Sequence, residues 1–238
     1  MMKVIDIHTH IIPNVDDGSF NLETSIFLIK EEIKQGITDI ICTPHFRRGM
    51  FETSREEILE NYNLLKEEIK KQNLNINIYL GQEIYIRRYT SLDRIFQENR
   101  VFSMNDQKYL LLEFSYTNEI DISEIVFSCK LKGYTPIIAH IERYEYVGIE
   151  EANDIVEAGG LIQVNASSVI GKHGGKIKKK VKKLIKNNLV SFIASDIHSN
   201  RKNYMLKTYN YIQKKYGEKM ANELFFINAS KMIGENNE

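Results

Sequence analysis

Residues 3–13 read KVIDIHTHIIP. A short apolar run rich in β-branched residues ends on two histidines, His8 and His10, spaced so that both leave one face while the strand lasts. Outward from this stretch, the pattern returns five times: IICTPH at 40–45, IYLGQE at 78–83, LLLE at 110–113, IIAH at 137–140 and FIASDIH at 192–198. Each is an apolar run that finishes on an imidazole or a carboxylate. Seven runs, at 3–7, 39–42, 76–80, 109–113, 135–139, 161–164 and 191–194, are expected strands. Helical patterns separate them, at Asn21 to Gln35, from Thr53 or Ser54 to about Lys71, and at 90–98, 120–132, 150–158, 175–188 and 202–216, with a short piece at 218–226. Strand and helix alternating in this way predict βα units in a parallel α/β arrangement, with residues 1–238 forming one domain.

Composition narrows the functional classes. Thirty-two basic residues balance thirty-two acidic ones, so no overall field favours nucleic acid or an anionic membrane, and an anionic substrate must be recognised locally. Asp6, His8 and His10 interrupt the place where a signal peptide needs an apolar stretch, and no run approaches the ~18 apolar residues of a membrane span. Cys42 and Cys129 are the only cysteines, too few for a disulfide framework. A cytoplasmic protein without membrane insertion is expected. Lys172 to Lys186 holds eight lysines, but Ile177, Val181, Leu184 and Ile185 fall on one helical stripe, which makes the lysines the solvent face of an amphipathic helix.

Parallel βα architecture puts the carboxyl ends of the strands on one face, where barrel active sites are built. Six strands therefore aim His8, His10, His45, Glu83, Glu113, His140, Asp196 and His198 at one mouth. Crowding such groups without a cation is costly. Imidazole nitrogens mixed with carboxylate oxygens suit zinc, manganese or iron. His173, in a Gly-rich segment, reads as a loop residue. In VDDG both Asp16 and Asp17 precede Gly18, and spacing does not choose between them.

The set of HTH, TPH, an isolated Glu83, HIER and SDIH resembles the PHP superfamily, named for polymerase and histidinol phosphatase. More narrowly, VDDG (15–18), HFRRGMFET (45–53), LLLEFS (110–115), IIAHIERY (137–144) and IASDIH (193–198) resemble the manganese-dependent tyrosine-protein phosphatases of bacterial capsule and exopolysaccharide systems. The resemblance implies a distorted (β/α)7 TIM-like barrel with three metal ions, Mn2+ foremost and Fe or Zn as alternatives. It implies His8, His10, Glu83 and Asp196 on the first ion, Glu113 and His140 with a bridging Glu83 on the second, and Asp17, His45 and His198 on the third. The family pattern favours Asp17 over Asp16 and marks Arg143 in HIERY; Arg143 and Arg201, both near ligand-bearing strand ends, are the expected phosphoryl-binding residues, although the segment after SDIH is about two residues shorter than the commoner family pattern.

The implied reaction is hydrolysis of protein phosphotyrosine by a metal-bound hydroxide. Its implied substrate is the phosphotyrosine tail of a bacterial tyrosine kinase. The alternatives are a phosphatase of a small ester such as histidinol phosphate, an exonuclease, and a non-catalytic metal-binding scaffold. Cys42 and Arg48 also satisfy the Cys-x5-Arg spacing of thiol-dependent phosphatases, but Pro44 has no N–H to give a phosphate and no glycine eases the turn. The loop from Phe46 to Thr53, with Arg47, Arg48, Met50 and Phe51, either grips an aromatic ester or packs beneath itself.

Overall fold

The structure is a computed structural model that describes residues 3–87, 94–95 and 99–234. Its strands are β1 (Ile5–Thr9), β2 (Asp39–Cys42), β3 (His45–Phe46), β4 (Asn77–Leu80), β5 (Glu83–Tyr85), β6 (Tyr109–Glu113), β7 (Thr135–Ile138), β8 (Leu161–Asn165) and β9 (Phe192–Ala194). They lie in two parallel ladders, β1-β2-β4 and β3-β5-β6-β7-β8-β9. The ladders are one wall. β2 runs on into β3 across Thr43 and Pro44, and β4 into β5 across Gly81 and Gln82. Pro44 has no N–H for an unbroken ladder. Pairing resumes where Gly81 N donates to Cys42 O at 2.8 Å and Glu83 N to Pro44 O at 3.1 Å. A Cβ at position 81 would sit 2.8 Å from Met104 Sδ and 3.1 Å from Ile41 Cγ2, so a side chain at this crossing would have to displace its neighbours.

Closure comes from β9 meeting β1, through the parallel bridge Thr9 to Ile197 and the bonds His10 N to Ile197 O (3.0 Å) and Asp196 N to His8 O (2.9 Å). Seven staves result, the distorted (β/α)7 barrel that the family resemblance implies. Two of the staves are broken. His45 and Glu83 accordingly stand on short second strands of their own, not in loops beyond β2 and β4.

β1 carries a second irregularity. In a regular strand, Ile5 and Ile7 would share one face and His8 and His10 the other. All four nevertheless point into the barrel, because the register against β2 slips between Asp6 and Thr9. The bulge adds one residue to β1 and turns His8 inward. Below the histidines an apolar layer of Ile5, Ile7, Ile41, Leu111, Ile137 and Phe192 fills the barrel, floored by Ala229 and Met232 from the C-terminal segment.

Outside the wall pack α1 (Leu22–Lys34), α2 (Arg55–Lys71), α3 (Ile122–Leu131), α4 (Ile149–Glu157), α5 (Ala166–Val169), α6 (Gly175–Lys186), α7 (Met205–Tyr216) and α8 (Glu218–Asn222). Asn21, Ser54 and Asp121 cap α1, α2 and α3 by accepting from the backbone N–H of Thr24, Glu57 and Glu124. Thr53, the other expected start of this helix, instead donates to Val15 O at 2.7 Å. The helix expected at 90–98 lies outside the described residues apart from Arg94 and Ile95. No helix among the described residues is long and apolar enough to cross a membrane.

Between α1 and the barrel lies a buried acidic contact. Glu32 of α1 and Asp6 of β1 are both fully buried, and Glu32 Oε1 accepts from Asn203 Nδ2 at 2.7 Å. Burial and the neighbouring Asp6 push the Glu32 carboxyl well above its ordinary range. A carboxyl raised on folding favours the native state at low pH, and that contribution is lost as pH climbs past the ordinary glutamate value of about 4.3. Glu32→Gln should therefore raise Tm at pH 8 by about 3 °C, the shift that ~1 kcal/mol gives a chain of this size. The gain should shrink toward pH 5 in paired thermal melts.

Candidate metal centre

The barrel mouth gathers its polar side chains from six staves. His8 Nε2 and His10 Nε2 face each other at 3.1 Å. Glu83 Oε2 lies 3.3 and 3.4 Å from them, and Asp196 Oδ1 lies 3.8 and 3.7 Å away. The other oxygen of Glu83, Oε1, is 2.9 Å from His140 Nε2, which is itself 3.7 Å from Glu113 Oε1. Glu83 thus divides its carboxylate between two groups of donors. Asp17 Oδ1 lies 3.6 Å from His45 Nε2 and 3.7 Å from His198 Nε2, while His45 turns Nδ1 to Glu83 Oε2 at 2.8 Å.

The two aspartates of VDDG have separate places. Asp16 is buried, taking hydrogen bonds from His10 Nδ1 (2.7 Å), His45 N (3.0 Å) and Gly18 N (2.9 Å), whereas Asp17 is more than half exposed and faces His45 and His198. Gly18 lets this loop close on the strand, since a Cβ there would fall 2.2 Å from His10 O.

At the mouth, His140 at φ 31° and Asp196 at φ 52° are held in the left-handed region that side chains rarely occupy. Both are candidate ligands. Asp196 also collects the arginines: Arg143 Nη2 is 3.0 Å and Arg201 Nη1 2.7 Å from its Oδ2, the oxygen opposite the one turned to the histidines. Burial works against the Asp196 charge, yet His8, Arg143 and Arg201 hold the carboxyl well below the ordinary range. Tyr116 steadies Arg143 by accepting from its Nη1 at 3.2 Å and donating to Glu113 Oε1 at 3.1 Å.

The donor set fits a cation. Imidazole and carboxylate lone pairs converge in subsets whose atoms lie within 4.8 Å of one another: His8, His10 and Asp196; His8, Glu83 and His140; His45, Glu83 and Glu113; His10, His45 and His198. Glu83 Oε2 and His198 Nε2 are buried without a hydrogen-bond partner. Burial and the Glu83 charge push the Glu113 carboxyl up to about 7, the strain of like charges in a desolvated mouth.

β8 sends no candidate ligand to the mouth, yet it holds the candidate ligands of its neighbours. Gln163 Oε1 accepts from His140 N at 2.7 Å and from His8 Nδ1 at 3.2 Å; Gln163 Nε2 donates to Asn165 Oδ1 at 2.8 Å, and Asn165 Nδ2 to Asp196 Oδ2 at 2.7 Å. This amide relay leaves His8 Nε2 and Asp196 Oδ1 free to face the centre. Sequence reading passed over it, although amides at i and i+2 of a fully buried strand were a signal.

The remaining candidates fall outward. Cys42 is fully buried in the packing between wall and helices, and burial pushes its thiol up, so the Cys-x5-Arg spacing makes no phosphate cradle. Phe51 stacks on the His45 ring with centroids 5.2 Å apart, Arg47 lies over Tyr85, and Met50 is exposed. His173 hydrogen-bonds Ser167 Oγ at 2.9 Å in the loop before α6.

The family model described as capsular polysaccharide synthesis, CpsB/CapC, matches residues 4–234. The tyrosine-protein phosphatase CpsB of Streptococcus pneumoniae is 37% identical over 242 residues, 97% of this chain and 98% of the relative. Among solved structures, those of YwqE from Bacillus subtilis and CpsB from S. pneumoniae, described as unique metal-dependent tyrosine phosphatases, give a match at TM-score 0.84 and 30% identity, covering 91% of this chain and 89% of the other. Histidinol phosphate phosphatase from Lactococcus lactis, solved with zinc, L-histidinol and phosphate, matches at TM-score 0.59 and 17% identity, covering 91% and 95%, a likeness of fold.

The relay generates a test. Gln163→Leu keeps the bulk but leaves His8 Nδ1 and His140 N without their acceptor, whereas Gln163→Glu keeps an acceptor. Metal affinity, measured by equilibrium dialysis and elemental analysis, should fall about tenfold in the leucine variant, within the range for loss of a ligand's outer partner. It should fall less in the glutamate variant.

Proposed function

The chain belongs to the CpsB/CapC family of capsular polysaccharide synthesis proteins, and from that premise we propose that it is a metal-dependent phosphatase of protein phosphotyrosine. The observation that carries this reading is the division of Glu83 between two donor groups, with two arginines held on the outer oxygen of Asp196 beside them. On this proposal His8, His10, Glu83 and Asp196 hold one ion, Glu113, His140 and the shared Glu83 a second, and Asp17, His45 and His198 a third. Manganese is the proposed metal, with iron and zinc compatible with the same donors. Bound ions supply Lewis acidity and a water acidic enough to ionise near neutral pH.

The chain's own residues do the rest. Arg143 and Arg201 each keep N–H groups beyond those on Asp196, and a planar guanidinium suits two phosphoryl oxygens at once. Tyr116 fixes the Arg143 plane. In the hydrolysis a water oxygen bonds to phosphorus as the bond to the tyrosine oxygen breaks, the products being phosphate and the tyrosine phenol, and the guanidinium groups of Arg143 and Arg201 would stabilise the charge on the phosphoryl oxygens. Tyrosine is a fair leaving group, since its phenol has a pKa of ~10. Gln163, Asn165 and Asp16 keep the ligands in place. The proposed physiological substrate is the phosphotyrosine tail of a bacterial tyrosine kinase, as the family resemblance implies, since a flexible segment can carry its phosphate to the site without a preformed docking surface.

Chelation should abolish turnover of a phosphotyrosine peptide and manganese should restore it, while Cys42→Ser should keep kcat/KM within about twofold of wild type if thiol chemistry plays no part. A folded, metal-replete Cys42→Ser protein without activity would sink the mechanism. Substrate class is read by comparing kcat/KM for a phosphotyrosine peptide with that for histidinol phosphate at one manganese concentration. Preference for histidinol phosphate by about a hundredfold, ~2.7 kcal/mol in transition-state binding, would retire the tyrosine assignment and leave the metal chemistry standing.

A further inference from the structure

α6 carries an unbalanced charge. Lys176, Lys178, Lys179, Lys182, Lys183 and Lys186 are exposed, as is Lys172 just before the helix, while Val181, Leu184 and Ile185 are buried against the barrel. No acidic residue occurs between 172 and 186, and among the described residues no carboxylate forms an ion pair with any of these seven lysines. The chain as a whole is neutral, so this one face is strongly segregated from its balancing acids. An ordinary solvated helix face mixes both signs.

The face begins at the mouth. Lys180, on the inner side of α6, donates from Nζ to Ile141 O at 3.2 Å and Tyr144 O at 2.6 Å, the turn that carries Arg143. Lys172 stands 5.2 Å over the ring of Tyr204, in the segment that follows Arg201. In the same loop His173 hydrogen-bonds Ser167 Oγ at 2.9 Å. From there twelve helical residues run about 18 Å down the barrel side, the reach of about five residues of extended chain.

We infer that the lysine face of α6 is a docking track for an acidic, multiply phosphorylated polypeptide, continuous with the mouth that takes its phosphotyrosine. The inference rests on the phosphotyrosine reading above and adds where the rest of the substrate lies. A membrane-surface helix inserts an apolar face, and the apolar face of α6 is already spent on the core. Single-stranded nucleic acid needs aromatic rings between the cations, and α6 has none. What α6 offers is a row of mobile point charges, suited to a flexible polyanion whose affinity falls with salt.

The test removes charge from one stripe in the triple variant Lys176→Gln, Lys179→Gln, Lys183→Gln. For a peptide with two phosphotyrosines and flanking glutamates, KM should rise about tenfold, the combined size of three exposed ion pairs, with kcat unchanged. Phenyl phosphate should be turned over as by wild type. Between about 50 and 300 mM salt, the peptide KM of wild type should climb more steeply than that of the variant. Equal peptide KM in both proteins overturns the track, as does an unchanged peptide KM alongside lost binding to phosphatidylglycerol vesicles, which gives the face to a membrane. If wild type hydrolyses phenyl phosphate but no phosphotyrosine peptide, the substrate reading has failed. The track is then judged by fluorescence anisotropy of a labelled polyglutamate peptide, where equal binding by both proteins overturns it and weaker binding by the variant sustains it.

Discussion

Glu83 reaches His8 and His10 with one oxygen and His140 with the other, and the architecture around it serves to make that reach possible. Its carboxylate is fully buried among five imidazoles and three further carboxylates, an environment that would be prohibitively desolvated without cations. Short, separately anchored staves bring the donors together. β5 begins at Glu83 because the stave breaks at Gly81, and β3 begins at His45 because it breaks at Pro44. Each break starts a short strand on a residue whose side chain faces the centre. The bulge in β1 turns His8 the same way.

Around this centre lies a second polar layer whose task is orientation. Asp16 takes the Nδ1 proton of His10, Gln163 that of His8, and Asn165 leans on Asp196. Asp6 accepts from Ser195 N at 3.1 Å and so ties β1 to the start of the segment carrying Asp196 and His198. Such groups add little net stability, since each exchanges water for a protein partner. They restrict the candidate ligands to one tautomer and one orientation, as a metal site would require.

Much of this was legible in the chain. Metal-type residues at the ends of apolar runs exposed the mouth, because a parallel barrel gives strand ends a common face. α1 was readable from its helical apolar pattern and α2 from its start at Ser54, because both signals are local. The bulge was not readable: alternation places His8 and His10 together, but it cannot signal the one-residue slip that also keeps Ile5 and Ile7 inside. Nor were the broken staves, whose second halves are too short for any periodicity. Asp16 and Asp17 are indistinguishable by spacing and are separated only by the turn at Gly18, which buries one and exposes the other. Gln163 and Asn165 looked like ordinary strand residues because their partners are 23 and 31 positions away.

The left-handed backbone at His140 and Asp196 bears on how such a centre can diverge. Among side chains other than glycine, that conformation is populated chiefly by asparagine, aspartate and histidine. At these two places the backbone therefore filters candidates before coordination chemistry is consulted, and a longer carboxylate or a β-branched residue is turned away by its own φ. His45 and Glu113, on extended strands, meet no such filter. Drift toward another metal would thus have its easiest openings on β3 and β6, while the ends of β7 and β9 keep the mouth to short, stiff ligands.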